Sequence, residues 1–187
     1  MKAGQIYKQF RTKKDKIVTL RAIQWEDLDG ALEFVNSLVD ERNCDPDLGI
    51  ILDKRQTLES EAEWLGQKLA SIESGNQISV VAELDGKLVG NSEVQRGRLT
   101  DELYHGKLGI AVLKEYRDEG IGLEIMKTVV EQCRKAGLKT VELEVFATNP
   151  RAVHVYEAAG FRKVGRIPKK IFRKGRQTDI IVMAIEL

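Results

Sequence analysis

A short glycine-containing turn joins an apolar, strand-like run to a helix-like segment in the second half of the chain. Residues 108–113 are apolar apart from one glycine, and the residues after the turn carry apolar side chains at helical spacing. Gly120 and Gly122 lie in the turn, where a backbone without side chains can approach a ligand closely. The first N–H groups of a helix have no partner inside it and carry partial positive charge. The turn therefore predicts an anion site at the start of a helix.

Two common phosphate-binding motifs do not fit this turn. A P-loop ends in Gly-Lys-Ser/Thr, whereas Gly120 is followed by Ile-Gly-Leu-Glu-Ile-Met. In a dinucleotide-binding turn the third small residue lets the helix pack closely on its strand, and here that position is Ile125. Two interpretations stay open at this point: an anion site of another kind, or a plain loop before a helix.

A second motif follows further along the chain, where residues 149–161 read Asn-Pro-Arg-Ala-Val-His-Val-Tyr-Glu-Ala-Ala-Gly-Phe. Together with Arg117-Asp-Glu-Gly-Ile-Gly122, this segment resembles the GNAT N-acetyltransferase superfamily. The family signature is Arg/Gln-x-x-Gly-x-Gly/Ala after a strand, then a further strand, then a helix with Asn-x-x-Ala-x-x-x-Tyr-x-x-x-Gly-Phe. Both parts occur here in that order. The resemblance is closest from Leu108 to Phe161.

The resemblance implies acetyl-CoA as the acetyl donor and assigns residues to it. In the family the pyrophosphate lies on the glycine turn, and the pantetheine arm runs between two strands that splay apart. The residues implied to hold the pyrophosphate, mainly by backbone N–H groups, are Arg117, Gly120, Gly122 and Leu123. Those implied to line the arm are Ile110, Ala111 and Val112. Asn149 is expected to cap its helix and to contact the arm.

Acetyl transfer to an amine requires a neutral amine, a polarised thioester and a proton for the departing thiolate. Tyr156 is the candidate proton donor, because its helical spacing turns it inward and the family places this tyrosine near the sulfur. The alternative is a core tyrosine whose hydroxyl bonds a backbone carbonyl. Glu93, Glu144 and His105 are candidate bases, although a water relay or an amine that arrives neutral would need none. Strand alternation predicts that Glu144 faces away from Leu143 and Val145.

Hydrophobic periodicity predicts the order strand, two helices, three strands, helix, strand, helix, two strands. The expected fold is α/β: a mixed, mostly antiparallel sheet of about seven strands with flanking helices. The resemblance adds that the fourth and fifth predicted strands, near residues 107–113 and 140–146, splay apart. Residues 1–16 are basic and predict a mobile or loosely packed tail, and residues 17–187 predict a single domain.

Composition narrows the class of protein. The 187 residues are 42% hydrophobic and carry a formal net charge of +1, so overall charge favours neither a nucleic acid nor a membrane as partner. No apolar run is long enough for a membrane span and no signal peptide is recognised, which predicts a cytoplasmic protein. The chain has only two cysteines and two histidines as possible metal ligands of these types, and no metal site is predicted.

Charge is unevenly distributed along the chain. Acidic residues predominate from Glu26 to Glu63, next to the acceptor groove of the family, and would attract a cationic amine. Residues 162–176 hold basic residues and no acid, which fits a solvated hairpin or a contact with the CoA 3′-phosphate, a nucleic acid or an acidic partner.

The main hypothesis is an N-acetyltransferase for a primary amine, either a small molecule or a protein N-terminus or lysine, that acts in a ternary complex. One alternative is a non-catalytic acyl-CoA-binding or regulatory module. A nucleic-acid-binding domain that uses the basic tail and hairpin is disfavoured, because no aromatic ladder accompanies the charges. Family members often form dimers, so a homodimer is compatible with the resemblance.

Overall fold

The structure, a computed structural model, describes residues 2–45 and 47–187. The four helices in this part of the chain are α1 (Leu28–Cys44), α2 (Leu58–Glu73), α3 (Ile121–Lys135) and α4 (Pro150–Ala158). The eight strands in the same residues are β1 (Ile6–Arg11), β2 (Ile17–Arg21), β3 (Gln77–Leu84), β4 (Lys87–Arg96), β5 (His105–Val112), β6 (Thr140–Phe146), β7 (Arg162–Arg173) and β8 (Arg176–Glu186).

The strands form one sheet in the order β1-β2-β3-β4-β5-β6-β8-β7. Every neighbouring pair is antiparallel except β5 and β6, which α3 connects as a parallel pair. A parallel pair needs such a crossover, because the chain must return to the same end of the sheet. The predicted α/β class and the mixed, mostly antiparallel sheet are confirmed.

The strand that the sequence did not predict is β1, which lies within the segment interpreted as a loosely packed tail. Met1 lies outside the described residues, but residues 6–11 pair with β2 from Ile6↔Arg21 to Arg11↔Ile17. The prediction is therefore wrong for these residues. The register shifts between Ile6 and Lys8, so Tyr7 is an extra residue that breaks the two-residue alternation by which strands are recognised. Tyr7 and Phe10 pack on the core. Their burial favours a packed strand more than the neighbouring lysines disfavour it.

The central strands of the sheet are buried on both faces, whereas β7 at one edge is largely exposed. One apolar layer includes Val80, Ile125 and Met126 and lies between the sheet and helices α3 and α4. The other includes Val81 and Phe34 and lies beneath α1 and α2. Neighbouring residues of β3 thus point into different layers, as the pleat of a strand requires.

Candidate active site at the opening between two strands

The central sheet opens between β5 and β6. These strands pair only from His105↔Thr140 to Leu108↔Leu143. Beyond that point β5 stays paired with β4 as far as Val112, whereas β6 stays paired with β8 as far as Phe146. The facing edges therefore diverge, which confirms the predicted splay.

The three residues predicted to line a ligand arm lie on the diverging part of β5. Ile110 and Val112 pack with the layer on the α3 and α4 side, and Ala111 packs with the layer under α1 and α2. All three are half-buried in the middle of the sheet, where side chains are usually fully enclosed. Their remaining exposure reflects the missing neighbour on the β6 side.

The glycine turn closes one end of this opening. Gly120 has φ +89° and is the N-cap residue of α3, a conformation that only glycine adopts without strain. The first helical hydrogen bond runs from the Glu124 N–H to the Gly120 carbonyl at 3.1 Å. In the part of the chain that the structure describes, the N–H groups of the first turn, at Ile121, Gly122 and Leu123, have no backbone partner outside the helix. These are the groups to which the sequence assigns anion binding, and that role stays a prediction.

Gly122 brings the turn close to β5 and to α4. A Cβ at this position would lie 3.8 Å from Val112 Cγ2 and 3.9 Å from Val155 Cγ1. These are ordinary van der Waals distances, so alanine would fit. Gly120 is different, since a Cβ there meets nothing within 4 Å and its requirement for glycine is purely conformational.

Each of the three side-chain nitrogens of Arg117 donates one hydrogen bond within the protein. Its Nε donates to the Val112 carbonyl at 2.9 Å, and its two terminal nitrogens donate to Glu41 at 2.5 and 2.6 Å. Its backbone N–H donates to the Lys114 carbonyl at 3.3 Å. The side chain therefore fastens the turn to α1, and a contact between Arg117 and a ligand stays a prediction.

Tyr156 lies on the inner face of α4 and is only 9% exposed. Within residues 2–45 and 47–187, no group bonds its hydroxyl, so the alternative of a core tyrosine tied to a backbone carbonyl is not what the structure contains. Burial raises the pKa of Tyr156 from its usual 10.0 to about 12, so the phenol stays protonated at neutral pH. A protonated hydroxyl without a protein partner is available as a donor.

Asn149 caps α4 as predicted. Its side-chain oxygen accepts from the Ala152 N–H at 3.0 Å, and Pro150 follows in the first turn. The proposed contact between Asn149 and a ligand arm stays a prediction.

Glu144 directly follows Leu143, the last residue of β6 that pairs with β5. It lies on the face of the strand opposite Leu143 and Val145, as alternation predicts. Burial alone would raise its pKa, but hydrogen bonds from Lys170 at 2.5 Å and Lys107 at 3.0 Å outweigh burial and hold the pKa of Glu144 below its usual range. A carboxylate held in its ionised form by two lysines is a weak proton acceptor. This environment disfavours Glu144 as the base.

Glu93 on β4 pairs across the ladder with Gly109, the first residue of the diverging part of β5. Its carboxylate accepts from Gln77 Nε2 at 3.0 Å and forms an ion pair with Lys68 of α2. His105 lies at the other end of β5, where its Nδ1 is 2.9 Å from Thr140 Oγ1. Glu93 and Glu144 thus both lie beside the opening, each paired with at least one lysine, whereas His105 lies at the paired end of β5. A role as general base stays a prediction for all three.

Sequence reasoning missed one buried carboxyl group, Glu61 in the first turn of α2. It is 5% exposed, and in the described part of the chain its carboxylate has neither a hydrogen bond nor an ion pair. Burial raises the pKa of Glu61 above its usual value. A helical spacing of four from the buried Leu65 was the available signal.

The connection between α1 and α2 is held near the end of β6 by the β7–β8 hairpin. Arg173 lies over the Phe146 ring at 5.1 Å and donates to the carbonyls of Leu48 and Ile50 at 2.7 and 2.8 Å. Nearby in the basic segment, Arg166 pairs with Asp179 at 2.6 Å. Part of the basic charge of this segment is thus used in internal contacts.

Residues 2–45 and 47–187 contain neither a candidate membrane-spanning helix nor a candidate metal site. No helix in that part combines the length and apolarity that a bilayer crossing requires. No cluster of three or more histidine, cysteine, aspartate or glutamate side chains in the same residues is arranged to hold a metal ion.

A mixed sheet that opens between two parallel strands, with a glycine turn at the start of the helix that connects them, is typical of a known class of proteins. The model of the acetyltransferase (GNAT) family matches residues 37–161. The chain belongs to this family, and the resemblance inferred from the two motifs is confirmed.

Curated relatives match part of the chain. The probable N-acetyltransferase camello of Xenopus tropicalis is 35% identical over 91 residues, which are 48% of this chain and 41% of that protein. The L-amino acid N-acetyltransferase AaaT of Escherichia coli is 28% identical over 106 residues, which are 56% of this chain and 65% of that protein. The [ribosomal protein bS18]-alanine N-acetyltransferase of E. coli is 32% identical over 80 residues, 42% of this chain and 53% of that protein. The match spans less than two thirds of each relative.

Solved structures extend the likeness over nearly the whole fold. A GNAT acetyltransferase from Streptococcus pneumoniae superimposes with a TM-score of 0.77 at 25% identity, over 91% of this chain and 99% of that one. A phosphinothricin acetyltransferase from Sinorhizobium meliloti, solved in complex with AcCoA, has a TM-score of 0.77 at 22% identity, over 91% and 88% of the two chains. At the latter identity the likeness concerns the fold.

Proposed function

We propose that this protein is an acetyl-CoA-dependent N-acetyltransferase that acetylates a primary amine by direct attack in a ternary complex. The observation that carries the proposal is the opening between β5 and β6, whose strands stop pairing after Leu108 and Leu143. The unpaired N–H groups in the first turn of α3 support it, as does the unpartnered hydroxyl of Tyr156, a residue of the apolar layer that also contains Val112. An anionic, elongated thioester matches this combination of an anion site and an apolar slot. Family membership supports the same donor.

In the proposed reaction the amine nitrogen bonds to the acetyl carbon, the carbon–sulfur bond breaks, and the proton lost from nitrogen ends on the sulfur. Tyr156 hydrogen-bonds the sulfur as negative charge develops there. Because a phenol of pKa about 12 is a weaker acid than a thiol of pKa about 8.5, the tyrosine acts as a donor that keeps its proton until the amine supplies another.

Glu93 is proposed to receive the proton from an ammonium substrate, directly or through one water, because it pairs with Gly109, the first residue of β5 that has no partner on β6. Replacing Glu93 by glutamine should lower kcat/KM most at the acidic end of the profile, where the amine arrives charged. Equal rates at all pH values would remove Glu93 from the mechanism.

The acceptor is proposed to be an amino group of an amino acid, of a small amine or of a protein N-terminus. The first and last of these follow the names of relatives, which act on L-amino acids and on the alanine of a ribosomal protein. The acidic residues of α1 and α2 would attract any of these cations. A cytoplasmic location and a homodimer stay predictions from the sequence.

Thiol release from acetyl-CoA, measured against L-amino acids, polyamines and peptides with a free N-terminal alanine, tests the proposal. Release with at least one class, with intersecting initial-velocity lines, supports direct transfer in a ternary complex. Tight CoA binding without turnover on any amine would instead support the non-catalytic acyl-CoA-binding module.

A further inference from the structure

The carboxyl group of Glu61 lies in the first turn of α2, one helical turn before the buried Leu65. The residue is 5% exposed, yet in residues 2–45 and 47–187 its carboxylate has neither a hydrogen bond nor an ion pair. Its oxygens are not fully enclosed, because Glu119 Oε2 is the single fully enclosed side-chain oxygen or nitrogen without a partner in the same residues. A carboxylate that is largely removed from water but still accessible favours a cation supplied by a ligand.

The face of α2 that carries Glu61 turns toward the opening of the sheet. Glu61, Leu65 and Lys68 recur at spacings of four and three, which places them on one face of the helix. Leu65 is buried in the apolar layer that also contains Ala111, on the diverging part of β5. Lys68 forms an ion pair with Glu93 on β4. This face of α2 therefore covers the strands beside the opening.

The direction of α2 places Glu61 toward the wide end of the opening. The strand β3 follows α2 closely and starts beside the end of β4, where Gln77 pairs with Gln95. The last turn of α2 therefore lies near the end of β4, and its first turn lies toward the start of that strand, which pairs with Val112 of β5. Glu61 is thus about 10 Å from Lys68 along the helix axis, on the side where β5 diverges from β6.

Trp64 offers apolar surface between these two charged residues. It lies three residues after Glu61 and four before Lys68, and it is half-buried against the layer beneath α1 and α2. The Lys68 ammonium lies 5.3 Å from the centre of the Trp64 ring and is compensated by Glu93. The carboxylate of Glu61 is therefore the charge on this face that has no counter-ion within the described residues. An elongated molecule with an apolar middle and a cationic end matches this arrangement.

We propose that the acceptor is a diamine or a longer polyamine, whose non-reacting ammonium pairs with Glu61 and whose hydrocarbon spacer packs on Trp64. The inference rests on the proposed function, because it names the class of amine that the same site acetylates. The reacting amino group lies toward Glu93, and Glu61 acts as a specificity residue that takes no part in proton transfer. Burial raises the pKa of the Glu61 carboxyl, and a bound ammonium offsets this effect by stabilising the charged form.

Steady-state acetylation of straight-chain α,ω-diamines, compared with alkyl amines of the same length, tests the proposal. The two members of each pair share the reacting amine and differ in the second amino group. For the wild type, kcat/KM per amino group should be about tenfold higher with the diamine, the size expected for one charge-assisted hydrogen bond. Glu61→Gln keeps the size of the side chain and should abolish this preference, whereas Glu61→Asp should keep part of it. Because Glu61→Gln removes an uncompensated buried charge, it should fold at least as stably as the wild type.

Glu59→Gln is the matched control, because Glu59 carries the same charge in the same helical turn but is exposed. Both variants change the net charge equally, so a loss of long-range attraction affects them alike, and Glu59→Gln should keep the preference for diamines. The inference is overturned if the wild type does not prefer diamines, if Glu61→Gln retains the preference, or if Glu59→Gln loses it to the same extent. A wild type that acetylates no amine refutes the proposed function as well; turnover with L-amino acids, peptides or alkyl amines but without a preference for diamines refutes this inference alone.

Discussion

Removal of the Tyr156 hydroxyl should separate catalysis from folding. In Tyr156→Phe the ring and its packing remain, and only the oxygen is lost. Within the described residues that oxygen has no hydrogen-bond partner, so no protein group loses a bond. We therefore expect the free energy of unfolding to change by less than about 0.5 kcal/mol.

The catalytic effect should be much larger. Loss of one donor aimed at developing negative charge typically lowers turnover by about 100-fold, or about 2.7 kcal/mol in the barrier. Because the hydroxyl is proposed to act on the departing sulfur, kcat should fall while the dissociation constant of acetyl-CoA stays within about twofold, a margin of less than 0.5 kcal/mol. Steady-state thiol release and calorimetry measure the two quantities.

Tyr7→Phe provides the opposite control. The Tyr7 hydroxyl donates to the Ser79 carbonyl at 3.1 Å on the β1 side of the sheet, so its removal should lower stability by about 1 kcal/mol and leave kcat unchanged. A Tyr156→Phe enzyme that turns over at the wild-type rate would refute the donor role. A variant that instead loses stability as Tyr7→Phe does would mean that the hydroxyl is a structural group.

Three further predictions concern the turn, the thiols and a buried ion pair. Gly120→Ala forces a side chain into φ +89° and should lower stability by about 1–2 kcal/mol and weaken CoA binding, whereas Gly122→Ala should be tolerated; urea unfolding and calorimetry compare them. Burial raises the pKa of the Cys133 thiol from 9.0 to about 12, so a thiol reagent at pH 8 should titrate only Cys44 in the native protein, and a second fast-reacting thiol would contradict this. As the pH rises above 9, the thiol of the unfolded chain ionises first, and stability should fall with pH. Arg21→Met leaves two paired carboxylates without their cation and should lower stability by about 3–5 kcal/mol in urea unfolding; a loss below 1 kcal/mol would show that the pair is dispensable.

Local patterns predicted several elements at their observed bounds. Apolar side chains at helical spacing predict a helix from about Leu58 to Glu73, and this helix is α2. The strand predicted near residues 140–146 is β6. The hairpin turn at Asp85-Gly86 has positive φ at both residues, as its sequence requires. The strand β1 was missed because its bulge at Tyr7 hides the alternation.

Partners distant in sequence could not be predicted. Arg117 was interpreted as part of the anion site, yet its guanidinium binds Glu41, 76 residues away. Glu119 pairs with Lys14 across 105 residues. Nothing in either local pattern specifies these contacts, since they depend on how α1 and the N-terminal hairpin pack around the turn.

The sequence by itself determined the family, the position of the glycine turn and the inward face of Tyr156, because each depends on residue types at short, fixed spacings. Only the tertiary structure decided which charged groups are already paired, as Glu144 and Arg117 are, and which are unpartnered, as Lys13 and Glu61 are. Pairing and burial depend on distances between elements far apart in the chain. Those distances set the pKa values and the available donors on which the chemistry of the site depends.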